Sequence, residues 1–269
     1  MDRIACALLT VSALSIVNPA AAQTAAGKPA LKFEVAVLKP TPPQATGGRG
    51  GIRPAPGGER YVATNCPLRL LITVAYGVKA DQITGGPDWI DTDRWEMNGK
   101  AEKPATIEEL HEMLKDILAE RFKLTLHRSS KEMPVYALRT DKNGTKLEAG
   151  EFSNAGEPWI DITTRAILQT TLNAKVVTMD YFAFRLSQLM DRPVMNLTGL
   201  KGNYNFGLSY TRDLPPGMNE NTKINGQEVD TSGPTIFEAV RRQLGLQLTP
   251  EKGPVEVLVI DHVEKPADN

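Results

Sequence analysis

Cysteine is nearly missing from this chain of 269 residues, which holds two. Cys6 lies inside a predicted N-terminal export signal, so the mature chain keeps only Cys66. One thiol cannot close an internal disulfide, and stability must come from packing. Cys66 precedes Pro67-Leu-Arg-Leu-Leu-Ile72 and reads as a small buried side chain; a nucleophile or an intermolecular bridge is the sharper alternative. An excess charge is missing too. Lys and Arg number 31 against 32 Asp and Glu, a formal net charge of -1. That balance excludes non-specific binding to nucleic acid or to anionic membrane. No segment after the signal approaches the ~18 apolar residues of a membrane span.

Catalytic signatures are also lacking. No Gly-x-Ser-x-Gly elbow occurs, and Ser129-Ser130-Lys131 falls at a predicted turn. The three histidines, His111, His127 and His262, are far apart. His111 has no second histidine four residues on, so it makes no zincin pair, and all three read as surface or strand-end residues. Gly47-Gly48-Arg49-Gly50-Gly51 lacks the Gly-Lys-Ser/Thr ending of a phosphate loop. Asp88, Asp91 and Asp93 crowd one loop near Glu96, but their spacing misses the EF-hand pattern. The sequence assigns no catalytic, metal-ligating or cofactor-binding residue.

What is present begins with that signal at 1–22. Arg3 supplies the positive end, Ala5 to Val17 the apolar stretch, and Ala20-Ala21-Ala22 the small-residue cleavage pattern. Cys6 precedes most of the apolar stretch, so no lipid anchor is expected. The chain is read as exported, periplasmic or extracellular, starting at Gln23 with a tether over 23–32.

The body contains an internal echo. Helix, Phe122-Lys-Leu-Thr-Leu126, turn and Pro134-Val-Tyr-Ala-Leu138 is answered by helix, Leu244-Gly-Leu-Gln-Leu248, turn and Pro254-Val-Glu-Val-Leu258. The expected fold is therefore α+β: two tandem, internally duplicated βαββαββ-like modules, with short helices on antiparallel or mixed sheets. The first spans 33–145, a linker 146–171, and the second 172–269 with a loop insertion at 211–233. Residues 40–58 form another Pro- and Gly-rich loop. Thr106-Ile-Glu-Glu109 is a capping box opening a helix whose Ile107, Leu110, Leu114, Ile117 and Leu118 form one apolar stripe. Thr178 caps a second helix, and a further helix spans Thr235 to Leu244. Tyr204, Phe206, Leu208 and Tyr210 alternate as a half-buried strand. Val255 to Val263 is apolar on both faces and predicts a central strand. Each echo is read as a hairpin.

Phe33-Glu-Val-Ala-Val-Leu-Lys-Pro40, Ile83-Thr-Gly-Gly-Pro-Asp-Trp89, Leu118-Ala-Glu-Arg-Phe-Lys-Leu124, Glu132-Met-Pro-Val-Tyr-Ala-Leu138, Thr198-Gly-Leu-Lys-Gly-Asn-Tyr204 and Gly253-Pro-Val-Glu-Val-Leu-Val-Ile-Asp-His262 resemble a secreted family of unknown function abundant in soil bacteria. The resemblance covers nearly the whole mature chain. It implies export and no established activity; some relatives are joined to membrane-embedded sensor metallopeptidases. The second module also resembles, in element order, the short N-terminal domain of secretins and TonB-dependent receptors, which docks partners in the cell envelope. Where the soil family commonly carries acids around the 198–202 turn, this chain has Asn196 and Asn205, which weakens any carboxylate site there.

The resulting expectation is an exported, non-catalytic envelope or extracellular protein that docks a protein partner or senses a small ligand, with no cofactor. Trp89, Arg94, Trp95 and Tyr204 are the candidate contact surface, since aromatics flanking an arginine suit partner anchoring. Alternatively Trp89 plugs the core and Arg94 pairs with Asp91. A secreted hydrolase or glycan-binding enzyme using Asp88, Asp91, Asp93 or His127 is the second expectation; it requires those side chains to converge.

Overall fold

The computed structural model describes residues 31–266 apart from 44–49, 56, 152–158, 166–167, 215–216, 218, 220–222, 225–226 and 229. The predicted signal, nearly all of the tether, part of the 40–58 loop and much of the 211–233 insertion lie outside the described residues. Residues 31–269 form one compact unit.

The fold is α+β, as the periodicities predict. The first repeat runs β1 (Val35–Pro40), β2 (Gly51–Pro54), β3 (Arg60–Pro67), α1 (Leu68–Tyr76), β4 (Ile83–Thr84), α2 (Trp89–Thr92), β5 (Arg94–Lys100), α3 (Ile107–Arg121) and β6 (Thr125–Thr140). The second runs β7 (Glu148–Ala149), β8 (Trp159–Arg165), β9 (Gln169–Val177), α4 (Met179–Leu189), β10 (Val194–Asn196), β11 (Tyr204–Thr211), α5 (Ile236–Leu244) and β14 (Leu246–His262). Inside its insertion, β12 (Lys223–Ile224) pairs with β13 (Gln227–Glu228). Strand β8 lies within the 146–171 linker, where Trp159 to Thr163 reads as a further strand.

Helix starts follow the sequence closely. Thr106 and Thr235 each accept from the N–H three residues on, while Glu109 and Glu238 close reciprocal capping boxes. Thr178 caps α4 through the Tyr181 N–H. The repeats match in detail. Sheet order β1-β5-β3-β2 in one corresponds to β7-β11-β9-β8 in the other. Three residues before α1 and α4, Asn65 and Val176 each sit at positive φ, 53° and 50°, beside a shift in strand register. A β-branched side chain is rare there.

The echoes are not hairpins. Strands β6 and β14 are continuous, 16 and 17 residues long, and pair antiparallel along their lengths from Leu246↔Thr140 to His262↔Thr125. Met133 faces Gly253 at the centre, and the two prolines straddle it symmetrically, Pro134 opposite Lys252 and Pro254 opposite Glu132. The short strands then cross over. β4 of the first repeat joins β14 of the second in parallel; β10 of the second joins β6 of the first. The central sheet β10-β6-β14-β4 is thus woven from both repeats. The turn reading failed for a physical reason. Residues 127–132 of β6 lie on a sheet edge in solvent, so they are polar like a turn. β14 is central against β4, as its two-faced apolar run predicts.

The core runs through the whole unit. It includes Leu68, Leu71, Ile72, Leu110, Leu114, Leu118, Phe122, Leu138, Phe182, Leu186, Leu244 and Leu258.

Candidate functional site

The residues expected to form a contact surface divide. Trp95 is not a surface residue. It is 5% exposed and meets Phe122 edge-on at 5.0 Å, because it shares the inward face of β5 with Met97. Trp89 is half-buried and stacked on Phe122 at 6.3 Å, with the Lys265 ammonium 5.5 Å from its ring centroid. Arg94 does not hold Asp91. Arg69 does, with Nε–Oδ1 2.6 Å and Nη2–Oδ2 3.0 Å. Arg94 itself is half-buried. Tyr204 belongs to a different sheet; its hydroxyl donates to the Lys201 carbonyl at 2.8 Å. The structure therefore gathers Trp89 and Trp95 around Phe122 and leaves Tyr204 apart.

The acid cluster is dispersed in its partners. Asp91 is held by Arg69, Asp93 by Lys265 at 2.7 Å, and exposed His127 by Asp261 at 2.8 Å. Among the described residues, no group of three or more His, Cys, Asp or Glu is arranged to hold a metal ion. Cys66 is wholly buried, and its thiol donates to the Gly51 and Thr64 carbonyls. Burial pushes its pKa up, which keeps the thiol protonated and poorly nucleophilic.

A candidate site lies elsewhere, between the repeats. A cleft of about 1020 Å³ is lined by β2, β3 and α1 of the first repeat and by β8 and α4 of the second. The edge strands β2 and β8 are structural equivalents, as are α1 and α4, so the cleft follows the repeat symmetry. Its seam is stitched at the helix ends. The Lys79 ammonium donates to the Ser187 and Met190 carbonyls at 2.6 and 2.7 Å, and Gln188 donates to the Val78 carbonyl.

The walls are apolar and aromatic, with Ile52, Leu70, Val74, Trp159 and Phe184. Polar groups punctuate them. Thr73 lines the cleft at 2% exposure, and its hydroxyl has no hydrogen-bond partner among the described residues. Arg185 lies with its guanidinium 5.1 Å from the Trp159 ring centroid, and its buried Nε has no hydrogen-bond partner among the described residues. Tyr181 lies beside Arg185; burial raises its pKa to about 12 against the opposing pull of that guanidinium. Exposed Arg53 and Asp161 stand on the rim.

Behind this wall sits an aromatic and polar cluster. His111 is 8% exposed, with Tyr61, Tyr181 and Phe184 ring centroids 6.0, 5.8 and 6.4 Å away. Among the described residues, its Nε2 and the Tyr61 hydroxyl have no hydrogen-bond partner. The surface reading of His111 is thus overturned. His111 faces Tyr61 of β3 on one side and Tyr181 and Phe184 of α4 on the other, and α1 also packs on α3. Orphaned buried polar atoms are uncommon and costly, and they gather where something else is to be bound or tuned.

Burial lowers the His111 pKa from 6.5 to about 3, with the Lys115 and Arg185 charges adding to the effect. The unfolded chain therefore takes up a proton below 6.5 that the folded chain refuses. Stability from this group is full above pH 6.5 and drains away as pH falls toward 3. We expect a loss of about 2 kcal/mol between pH 7 and pH 5. Urea unfolding at the two pH values measures it, and His111→Phe should remove that component.

Fold and cleft together define a class: a duplicated α+β protein with an interleaved central sheet and an inter-repeat pocket. The chain belongs to the family described as protein of unknown function DUF3738, whose profile matches residues 69–263. That span holds Thr73, His111, Trp159, Tyr181 and Arg185 but not β2 with Arg53. No curated protein and no solved structure matches the chain.

Proposed function

We propose that this is an exported envelope or extracellular protein with a non-catalytic role, which senses a small ligand held between its two repeats. The observation that carries the reading is the cleft, large enough for a drug-sized ligand, with the unpartnered Thr73 hydroxyl and Arg185 Nε in its wall. The export part rests on the N-terminal signal pattern, and mass spectrometry of the mature N-terminus in cell fractions tests it. A ligand bridging α1 and α4 touches both repeats at once. The woven sheet would couple such binding to the whole unit. A hydrolase built on Asp88, Asp91, Asp93 or His127 gains no support, because three of the four are committed to separate partners.

A thermal-shift screen of small molecules tests the reading. A ligand at ~100 times its Kd stabilises by ~2.7 kcal/mol, or roughly 5–10 °C for a chain of this size. A Cβ on Gly51 meets nothing within 4 Å, so Gly51→Trp can place a ring at the cleft mouth without disturbing the fold. Hits should vanish in that variant while its own melting temperature stays within a few degrees. Hits that persist at full strength would locate binding elsewhere and sink the proposal.

A further inference from the structure

The chemistry of the cleft narrows its ligand, an inference that rests on the reading above. On the rim, Arg53 and Asp161 carry opposite charges and cancel. Deeper in the wall the charge is that of Arg185, which has no carboxylate partner among the described residues. Its neighbours there are neutral. Tyr181 stays protonated with a pKa of about 12, and His111 stays uncharged above about pH 3. The interior field is therefore positive, and it comes from a half-buried guanidinium whose neighbour is the neutral Tyr181 hydroxyl rather than a carboxylate.

The guanidinium is also oriented. Its Cζ lies 5.1 Å from the ring centroid of Trp159 on the opposing β8, a cation–π contact that limits its freedom. An arginine fork so presented matches a planar carboxylate in two parallel hydrogen bonds. Beyond the charge, Leu70, Val74 and Phe184 offer an apolar bed. A neutral apolar ligand would leave the Arg185 donor unsatisfied, and a cation would be repelled by it.

We infer that the cleft takes a small monocarboxylate with a flat apolar body, its head on Arg185 and its body against Phe184, Leu70 and Val74. One cation in the wall sets a single negative charge on the ligand.

Calorimetric titration of the full mature chain tests this with 2-naphthoate and its neutral counterpart 2-naphthamide. The acid should bind at least about tenfold more tightly, the usual effect of a charge-assisted pair in a partly buried site. Arg185→Gln should erase that margin by weakening the acid far more than the amide, and an unchanged circular dichroism spectrum and melting temperature show that the variant is folded. Equal binding of acid and amide, untouched by Arg185→Gln and blocked by Gly51→Trp, would overturn the carboxylate inference and leave the cleft standing as a ligand site. No binding of either compound at about 1 mM would overturn the inference for flat apolar carboxylates. If the thermal-shift screen also gave no cleft-dependent hit, the proposed function would fall with it.

Discussion

Expressed alone, the second half of the chain (residues 159–269) will not fold. Its longest strand, β14, has β6 and β4 as its sheet neighbours, and both belong to the first half. Its short strand β10 pairs only with β6. Removing the first half leaves both edges of a 17-residue strand without the hydrogen-bond partners they have in the whole chain. No compact alternative is open to so long a strand with apolar side chains on both faces and both edges unpaired. The first half fails for the mirror reason, because β4 has only β14 beside it. Cutting within 152–158 and mixing the halves should restore one folded 1:1 complex. Circular dichroism and analytical ultracentrifugation give the answer. A second half that melts cooperatively alone would mean the repeats are ordinary tandem domains.

The second large effect is expected at Phe122. Its ring is fully buried, with Trp89 stacked on it and Trp95 edge-on. Phe122→Ala deletes the shared partner of both indoles and leaves a cavity that α3, anchored at both ends, cannot close. A loss of about 3–5 kcal/mol follows, a large part of the ~5–15 kcal/mol that holds an ordinary domain together. Phe122→Leu should recover much of it. Urea midpoints followed by tryptophan fluorescence report the change. A loss below about 1 kcal/mol would show that the indoles do not depend on this ring.

Much of this fold can be read from the chain because local signals and tertiary structure agree. The capping threonines 106, 178 and 235 mark helix starts on their own. The two-faced apolar run at 255–263 marks a central strand. The duplication is visible as repeated words. The exchange of strands between repeats is not visible, since parallel pairing of β4 with β14 joins residues far apart in sequence and leaves no local trace. It also hid in plain polarity, an exposed strand edge having the same composition as a turn.

The site was less legible. Trp95 alternates with Met97 in an inward-facing register that the strand period carries, so its burial was there to be found. His111 follows Leu110 and precedes Leu114 on the apolar stripe of α3, which placed it toward the core rather than on the surface. The cleft itself is different. Thr73, Trp159 and Arg185 come from three elements that meet only after both repeats assemble, and none of them sits in a motif.

Hydrogen exchange with and without a bound small carboxylate is the most direct test of the central claim, that the molecule works through the cleft between its repeats. The account predicts slowed exchange in β2, α1, β8 and α4 together, from both repeats at once, with β1 and the Trp89 segment unchanged. Protection confined to one repeat, or centred on Trp89 or Tyr204, would contradict it.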